Sequence, residues 1–154
     1  MYTFKLYDSE QLVELMYMNA LKYDKETHSF ANRKYFNFGD NANFLIAFDG
    51  DESSDAIVGV IKFGLYFVDD IDQHYGLNYI DVRGDYRHKG IGSLLLKKFN
   101  TLLKNNIPVW CSFFSDHCIE TKFDKVIEKS LSNYDVVYDH QYIIKKGTTE
   151  YIKL

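Results

Sequence analysis

The spacing of apolar residues along the chain changes period several times, and each change marks an element. Thr3–Tyr7 reads as a first strand. Asp8 then offers a helix N-cap with Gln11 three residues on, and Leu12, Leu15, Met16 and Ala20 supply a helical stripe behind it. From Tyr23 to Asn41 the pattern is irregular and predicts a short helix with loops. Phe44–Phe48 reads as a strand, closed by the polar turn Asp49–Asp55 whose carboxylates should be solvated. Ile57–Leu65 is a long β-branched strand, so these two segments are expected to form a hairpin. A further strand, Tyr75–Val82, follows an acidic loop around Asp69, Asp70 and Asp72.

The clearest helix comes next. Ile91, Leu94, Leu95, Phe99, Leu102 and Leu103 fall on one side at helical spacing, with Lys97, Lys98 and Lys104 left for solvent. Val109–Phe114 is a short strand, and Glu120–Leu131 a more charged helix packing through Phe123, Val126 and Ile127. Two last strands, Tyr134–Tyr138 and Gln141–Lys145, meet at a tight Asp139-His140 corner. The order is a mixed α/β arrangement, and the strand–helix–strand unit from Tyr75 to Phe114 implies a parallel pair with a right-handed crossover.

Composition narrows the class. A length of 154 residues suits one domain, and 46% hydrophobic with 26% charged residues describes a chain that buries an ordinary core. The net charge of −4 argues against a partner built on phosphate backbones, so no nucleic acid is expected. No apolar run approaches the ~18–20 residues that span a bilayer, and no secretion signal is visible, so a soluble cytoplasmic protein without a membrane partner is expected. Cys111 and Cys118 lie outside any paired ligand spacing, so no metal site is expected and both read as free thiols. Aromatic residues reach 17%, most of them core filler such as Phe4, Phe44, Phe63, Phe99 and Trp110.

The chemistry sits between Tyr79 and Ser93, where a strand runs through a basic, glycine-containing loop into the best amphipathic helix. The first N–H groups of a helix lack partners and its dipole is positive there, so such a loop is an anion cradle. A dinucleotide fingerprint would need a third glycine near Leu95, and a P-loop would need Gly-Lys-Ser/Thr where this chain has Lys89-Gly90-Ile91. Both fail on spacing. Arg87-His88-Lys89-Gly90-Ile91-Gly92 instead resembles the R/Q-x-x-G-x-G/A acyl-CoA pyrophosphate loop of the GNAT superfamily of N-acetyltransferases. Ile80-Asp81-Val82, with its valine five positions before Arg87, is similar to the end of that family's fourth strand.

The resemblance implies one acyl-CoA-binding domain over residues 1–154, an α/β fold with a central twisted mixed sheet of about six to seven strands and about four flanking helices. It implies acetyl-CoA as acyl donor and an amine as acceptor, in direct attack on the thioester. Carried to matching positions, main-chain groups of Ile80 and Val82, flanking Asp81, would pair with the pantetheine arm. Backbone N–H groups from Arg87 through His88, Lys89, Gly90, Ile91 and Gly92 would hold the pyrophosphate, and Ser93 would add a hydroxyl. Two departures stand out: the family's proton-donating tyrosine on the last helix falls at Phe123, and the strand-four glutamate of some relatives falls at Gly76. His74 and Tyr142 are the candidate titrating groups, with Cys118 or Ser115 behind them. Tyr75, Asn78, Phe114 and Phe123 are candidate linings of the channel or acceptor site, and Tyr79 lies near the same strand gap. The alternative is a catalytically weak GNAT-like module that binds CoA or a protein partner. A homodimer through the C-terminal strands and the tail Thr148–Leu154 is allowed but not demanded.

Overall fold

The corner at Asp8 is built by side chains exchanging bonds with the backbone. The Gln11 N–H donates to Asp8 Oδ1 at 2.8 Å while the Asp8 N–H donates to Gln11 Oε1 at 3.0 Å, a reciprocal cap that ends strand β1 (Tyr2–Asp8) and starts helix α1 (Ser9–Met18). The computed structural model describes residues 1–18, 42–52, 56–68, 72–104, 107–111, 123–138, 142–147 and 152–153. Ala20 and the irregular stretch from Tyr23 to Asn41 lie outside them.

The chain divides into two compact units, Met1–Lys62 with Ile80–Leu95 and Phe63–Tyr79 with Leu96–Leu154. Strands β3 (Ile57–Val68) and β4 (Asp72–Val82) and helix α2 (Ile91–Leu102) each contribute residues to both. In the first unit β1 pairs antiparallel with β2 (Asn43–Asp49), and β2 lies beside β3. Phe44 through Phe48 are all buried, so β2 is covered on both faces, which is why its apolar run is continuous rather than alternating. The described residues of the turn after β2, Asp49 to Glu52, are exposed, as their composition suggests. Glu52 accepts from Lys5 Nζ at 2.9 Å and from the Tyr7 hydroxyl, pinning the turn to β1.

In the second unit β4 pairs in parallel with β5 (Val109–Cys111), which pairs in parallel with β6 (Val136–Tyr138). Strand β7 (Tyr142–Ile144) then runs antiparallel to β6, and helix α3 (Phe123–Ser130) lies between β5 and β6 in the chain. The tail contributes an eighth strand, β8 (Ile152–Lys153), antiparallel to β7. The described residues therefore hold eight strands in mixed pairing, one more than the upper expectation, because two tail residues pair with β7.

Helix α2 keeps its predicted position with a rotated stripe. Ile91, Leu95, Leu96, Phe99 and Leu103 are buried, whereas Leu94 and Leu102 are 41% and 40% exposed. At 100° per residue the buried set centres between Leu95 and Phe99, and Leu94 falls off its edge. In the second unit the Phe63 and Phe99 rings meet edge to face at 4.9 Å. The last turn of α2 is held by tyrosines: Lys104 N–H donates to Tyr75 Oη at 2.9 Å, and Tyr134 Oη donates to the Leu103 carbonyl.

Candidate functional site

The loop between β4 and α2 belongs wholly to the first unit. After Val82 the chain anchors on β3 through Arg83 N–H to the Val58 carbonyl at 2.8 Å, then makes one 3-10 turn, Gly84–Tyr86. His88 has φ of +63° and Gly90 φ of +82°, on either side of Lys89. Alternation of this kind turns successive N–H groups toward one side and forms a concavity for an anion. The first helical hydrogen bond of α2 runs from Leu94 N–H to the Gly90 carbonyl at 3.1 Å. The N–H groups of Ile91, Gly92 and Ser93 therefore precede the ladder. A Cβ built on Gly90 meets nothing within 4 Å, so space for a phosphate lies over that residue.

The loop's cations are not equivalent. Arg83 forks onto Asp85 at 2.7 and 3.0 Å. Arg87 turns back onto β4, its Nε donating to the Val82 carbonyl at 3.0 Å and its Nη2 to Asp81 Oδ1 at 3.2 Å. Asp81 Oδ1 also accepts the Val82 N–H at 2.9 Å, so both main-chain groups of Val82 are engaged by side chains. The Arg87 N–H is likewise directed inward, to the Gly84 carbonyl at 3.4 Å. The Lys89 ammonium instead lies 4.9 Å from the Tyr86 ring centroid, and His88, Lys89 and Ser93 are exposed.

Tyr86 organises this loop. Arg83 lies over its ring at 4.5 Å, the Tyr2 ring meets it edge-on at 6.4 Å, and its hydroxyl donates to Asp49 Oδ2 at 2.5 Å. The bond to the Asp49 carboxylate, with a smaller contribution from burial, raises the phenol above the usual tyrosine range. The folded state therefore keeps its proton where the unfolded chain has lost it. This contribution is complete below the unfolded pKa of ~10 and is lost as pH rises through the folded value. Melting curves across the alkaline range should show wild type falling toward Tyr86→Phe. A constant difference between the two proteins would contradict the Asp49 bond.

The second unit carries a row on one face of β4. His74, Gly76 and Asn78 alternate with the buried Tyr75 and Leu77. The Tyr66 ring, from β3, lies over Gly76: a Cβ there would sit 2.5 Å from Tyr66 Cε2, and one on Gly64 would sit 3.1 Å from it. Asn78 Nδ2 donates to Tyr66 Oη at 3.0 Å. His74 stacks between rings, 4.3 Å from Trp110 and 5.8 Å from Tyr66. Among the described residues the parallel register of β4 with β5 pairs Tyr75–Leu77 with Val109–Cys111.

With this geometry in place, the comparisons with known proteins decide the family. The model described as "Acetyltransferase (GNAT) family" matches residues 9–115. The chain belongs to the GNAT acetyltransferase family. No curated protein matches this GNAT chain by sequence. Among solved structures, an integron cassette protein from the mobile metagenome of V. cholerae superposes with a TM-score of 0.54 at 20% identity, over 82% of this chain and 83% of that one. An aminoglycoside acetyltransferase from an uncultured soil metagenomic sample gives 0.52 at 12% identity, over 99% and 96%. Aminoglycoside 6'-N-acetyltransferase AAC(6')-Ih from Acinetobacter baumannii gives 0.52 at 13%, over 100% and 98%. At identities this low the superpositions show a shared fold.

The residues singled out from sequence fall into several groups. His88, Lys89, Gly90, Ile91, Gly92 and Ser93 come together at the start of α2, although the Ile91 side chain is buried and only its main chain faces the loop. Tyr75 is placed in the core, on the strand face opposite Asn78. Tyr142 opens β7 and Phe123 opens α3, and their side chains, like all of Phe114, Ser115 and Cys118, lie outside the described residues. The same holds for Asp69 and Asp70. Tyr66, Tyr86 and Asp49 were not singled out. The signal for Tyr66 was available in Gly64 and Gly76, two strand glycines that leave room for a ring.

Proposed function

We propose that the protein transfers an acetyl group from acetyl-CoA to the nitrogen of an amine. The observation that carries this reading is the start of α2, where N–H groups ahead of the helical ladder, positive φ at His88 and Gly90 and open space over Gly90 suit a pyrophosphate. Lys89 adds charge at the rim. Ile80 and Val82 are the main-chain partners of the pantetheine arm in this reading, with Arg87 leaving the Val82 carbonyl and Asp81 the Val82 N–H to make room for it. Once free of β4, the Arg87 guanidinium is a bidentate donor for a phosphate.

An alkylammonium with a pKa of about 10.4 is neutral in only about one molecule in a thousand at pH 7, so a group or water chain must take its proton. Alignment of amine and thioester supplies several kcal/mol of rate enhancement without a dedicated acid. Two of the structural neighbours are aminoglycoside acetyltransferases, which makes aminoglycosides the first acceptors to try, followed by other polyamines and lysine peptides. The direct test incubates the protein with acetyl-CoA and this panel and follows free thiol. Acceptor-dependent release supports transfer. Tight CoA binding with no release on any acceptor favours the second reading, a CoA-binding module, which the missing side chain at Gly76 and the phenylalanine at position 123 motivate. No heat and no melting shift with CoA would end both readings.

A further inference from the structure

The end of β4 assigned to the pantetheine arm is occupied by the chain's own side chains. Arg83 gives its N–H to the Val58 carbonyl of β3. The main-chain groups of Val82, one residue back in an extended strand, therefore point away from β3, and those of Ile80 with them. Both groups of Val82 are taken there. The carbonyl accepts from Arg87 Nε at 3.0 Å, and the N–H donates to Asp81 Oδ1 at 2.9 Å. Arg87 Nη2 closes the triangle on the same Asp81 oxygen at 3.2 Å. The Arg87 side chain is 54% exposed and that of Asp81 19%, so the pair is open to solvent on the arginine side. All of these residues, and the cradle from His88 to Ser93, lie within the first unit.

We infer that Arg87 is a latch on the β4 edge that only a phosphate-bearing ligand opens, so that the protein takes acyl-CoA and discriminates against an acyl group on a bare pantetheine arm. This rests on the acetyl-CoA reading given above. One guanidinium has two claimants, Asp81 with the Val82 carbonyl on one side and the pyrophosphate at the start of α2 on the other. A single carboxylate holds an exposed cation weakly, and a pyrophosphate offers it more charge and a bidentate partner. Captured by phosphate, Arg87 leaves the Val82 carbonyl, and Asp81, no longer held by it, releases the Val82 N–H to the arm. A neutral arm has nothing to draw the guanidinium away and would have to exchange a charge-assisted bond for a neutral one. Phosphate recognition and arm pairing are thereby coupled. Such coupling is reciprocal, so pyrophosphate and pantetheine each strengthen binding of the other.

The test measures CoA and pantetheine by calorimetry on wild type, Arg87→Ala and Asp81→Asn, the pantetheine titrations with and without inorganic pyrophosphate. Wild type should bind pantetheine about tenfold more tightly when pyrophosphate is present, and Arg87→Ala should show no such gain. Without pyrophosphate, Arg87→Ala should bind pantetheine about tenfold more tightly than wild type and CoA more weakly. A merely structural role of the arginine would not make the two affinities move in opposite directions. Asp81→Asn keeps an oxygen for the Val82 N–H and removes the charge, and should bind both ligands about threefold more tightly. The wild-type comparison needs no variant, so it decides the matter even where a variant fails to fold. Pantetheine binding to wild type that is indifferent to pyrophosphate overturns the latch and leaves the CoA reading standing. Wild type that binds neither CoA nor pyrophosphate overturns that reading, and the latch with it.

Discussion

Replacing Gly90 with glutamate should abolish CoA binding while the protein still folds. Gly90 has φ of +82° and open space around its Cα hydrogen, so a side chain meets no protein atom and projects into the space assigned to phosphate. A carboxylate there repels the pyrophosphate and occupies its position at once. Each hydrogen bond to a charged group contributes about 1.5–3 kcal/mol, so loss of two amounts to more than a hundredfold in Kd. The left-handed backbone makes any non-glycine residue strained by about 1–2 kcal/mol, a cost the fold should absorb with a lower melting temperature. Calorimetry with CoA and thermal unfolding of the same variant separate the two effects. Unchanged affinity would remove the pyrophosphate from this loop.

Gly59→Val should destabilise the first unit and loosen the cradle together. Gly59 lies in β3 where α2 approaches most closely: a Cβ there sits 2.7 Å from Leu95 Cδ1, 3.2 Å from Ile91 Cγ2 and 3.5 Å from the Asp81 carbonyl. Ile91 and Leu95 are fully buried, so they cannot retreat into solvent. Overpacking of this kind costs about 1–3 kcal/mol, with valine's second methyl carrying it to the upper end. Ile91 is also the first residue of α2, so the strain falls on the turn that presents the N–H groups. Urea unfolding should show a lower midpoint, and CoA should bind more weakly than to wild type even well below the transition. A stable variant with normal CoA affinity would show that the helix can shift away from β3 without disturbing the loop.

Much of this was legible in the chain because the chemistry is local. The Asp8–Gln11 cap depends on residues three apart, and its reciprocal bonds follow from side-chain length and helix geometry alone. The α2 cradle is of the same kind, since unpaired N–H groups and glycine torsions are properties of consecutive residues. The run of Phe44–Phe48 and the stripe of α2 likewise announced a buried strand and a buried helix.

What the sequence could not determine is which distant groups meet. Arg87, His88 and Lys89 read alike as loop cations, yet Arg87 is tied to Asp81 and Val82 because the loop folds back on the end of β4. The turn carboxylates Asp49 and Glu52 read as solvated and are exposed, but only the fold brings Tyr86, Tyr7 and Lys5 to them from 37 to 47 residues away in the chain. Gly76 read as a missing side chain, and only the neighbouring strand places the Tyr66 ring over it. Local sequence thus determined the capped start of α1, the strands and the glycine-containing turn into α2, since these depend on backbone torsions and near-neighbour bonds. Tertiary structure decided which groups bond the turn after β2 and which phenol stands beside β4, because both depend on chain packing that brings remote residues within hydrogen-bond reach.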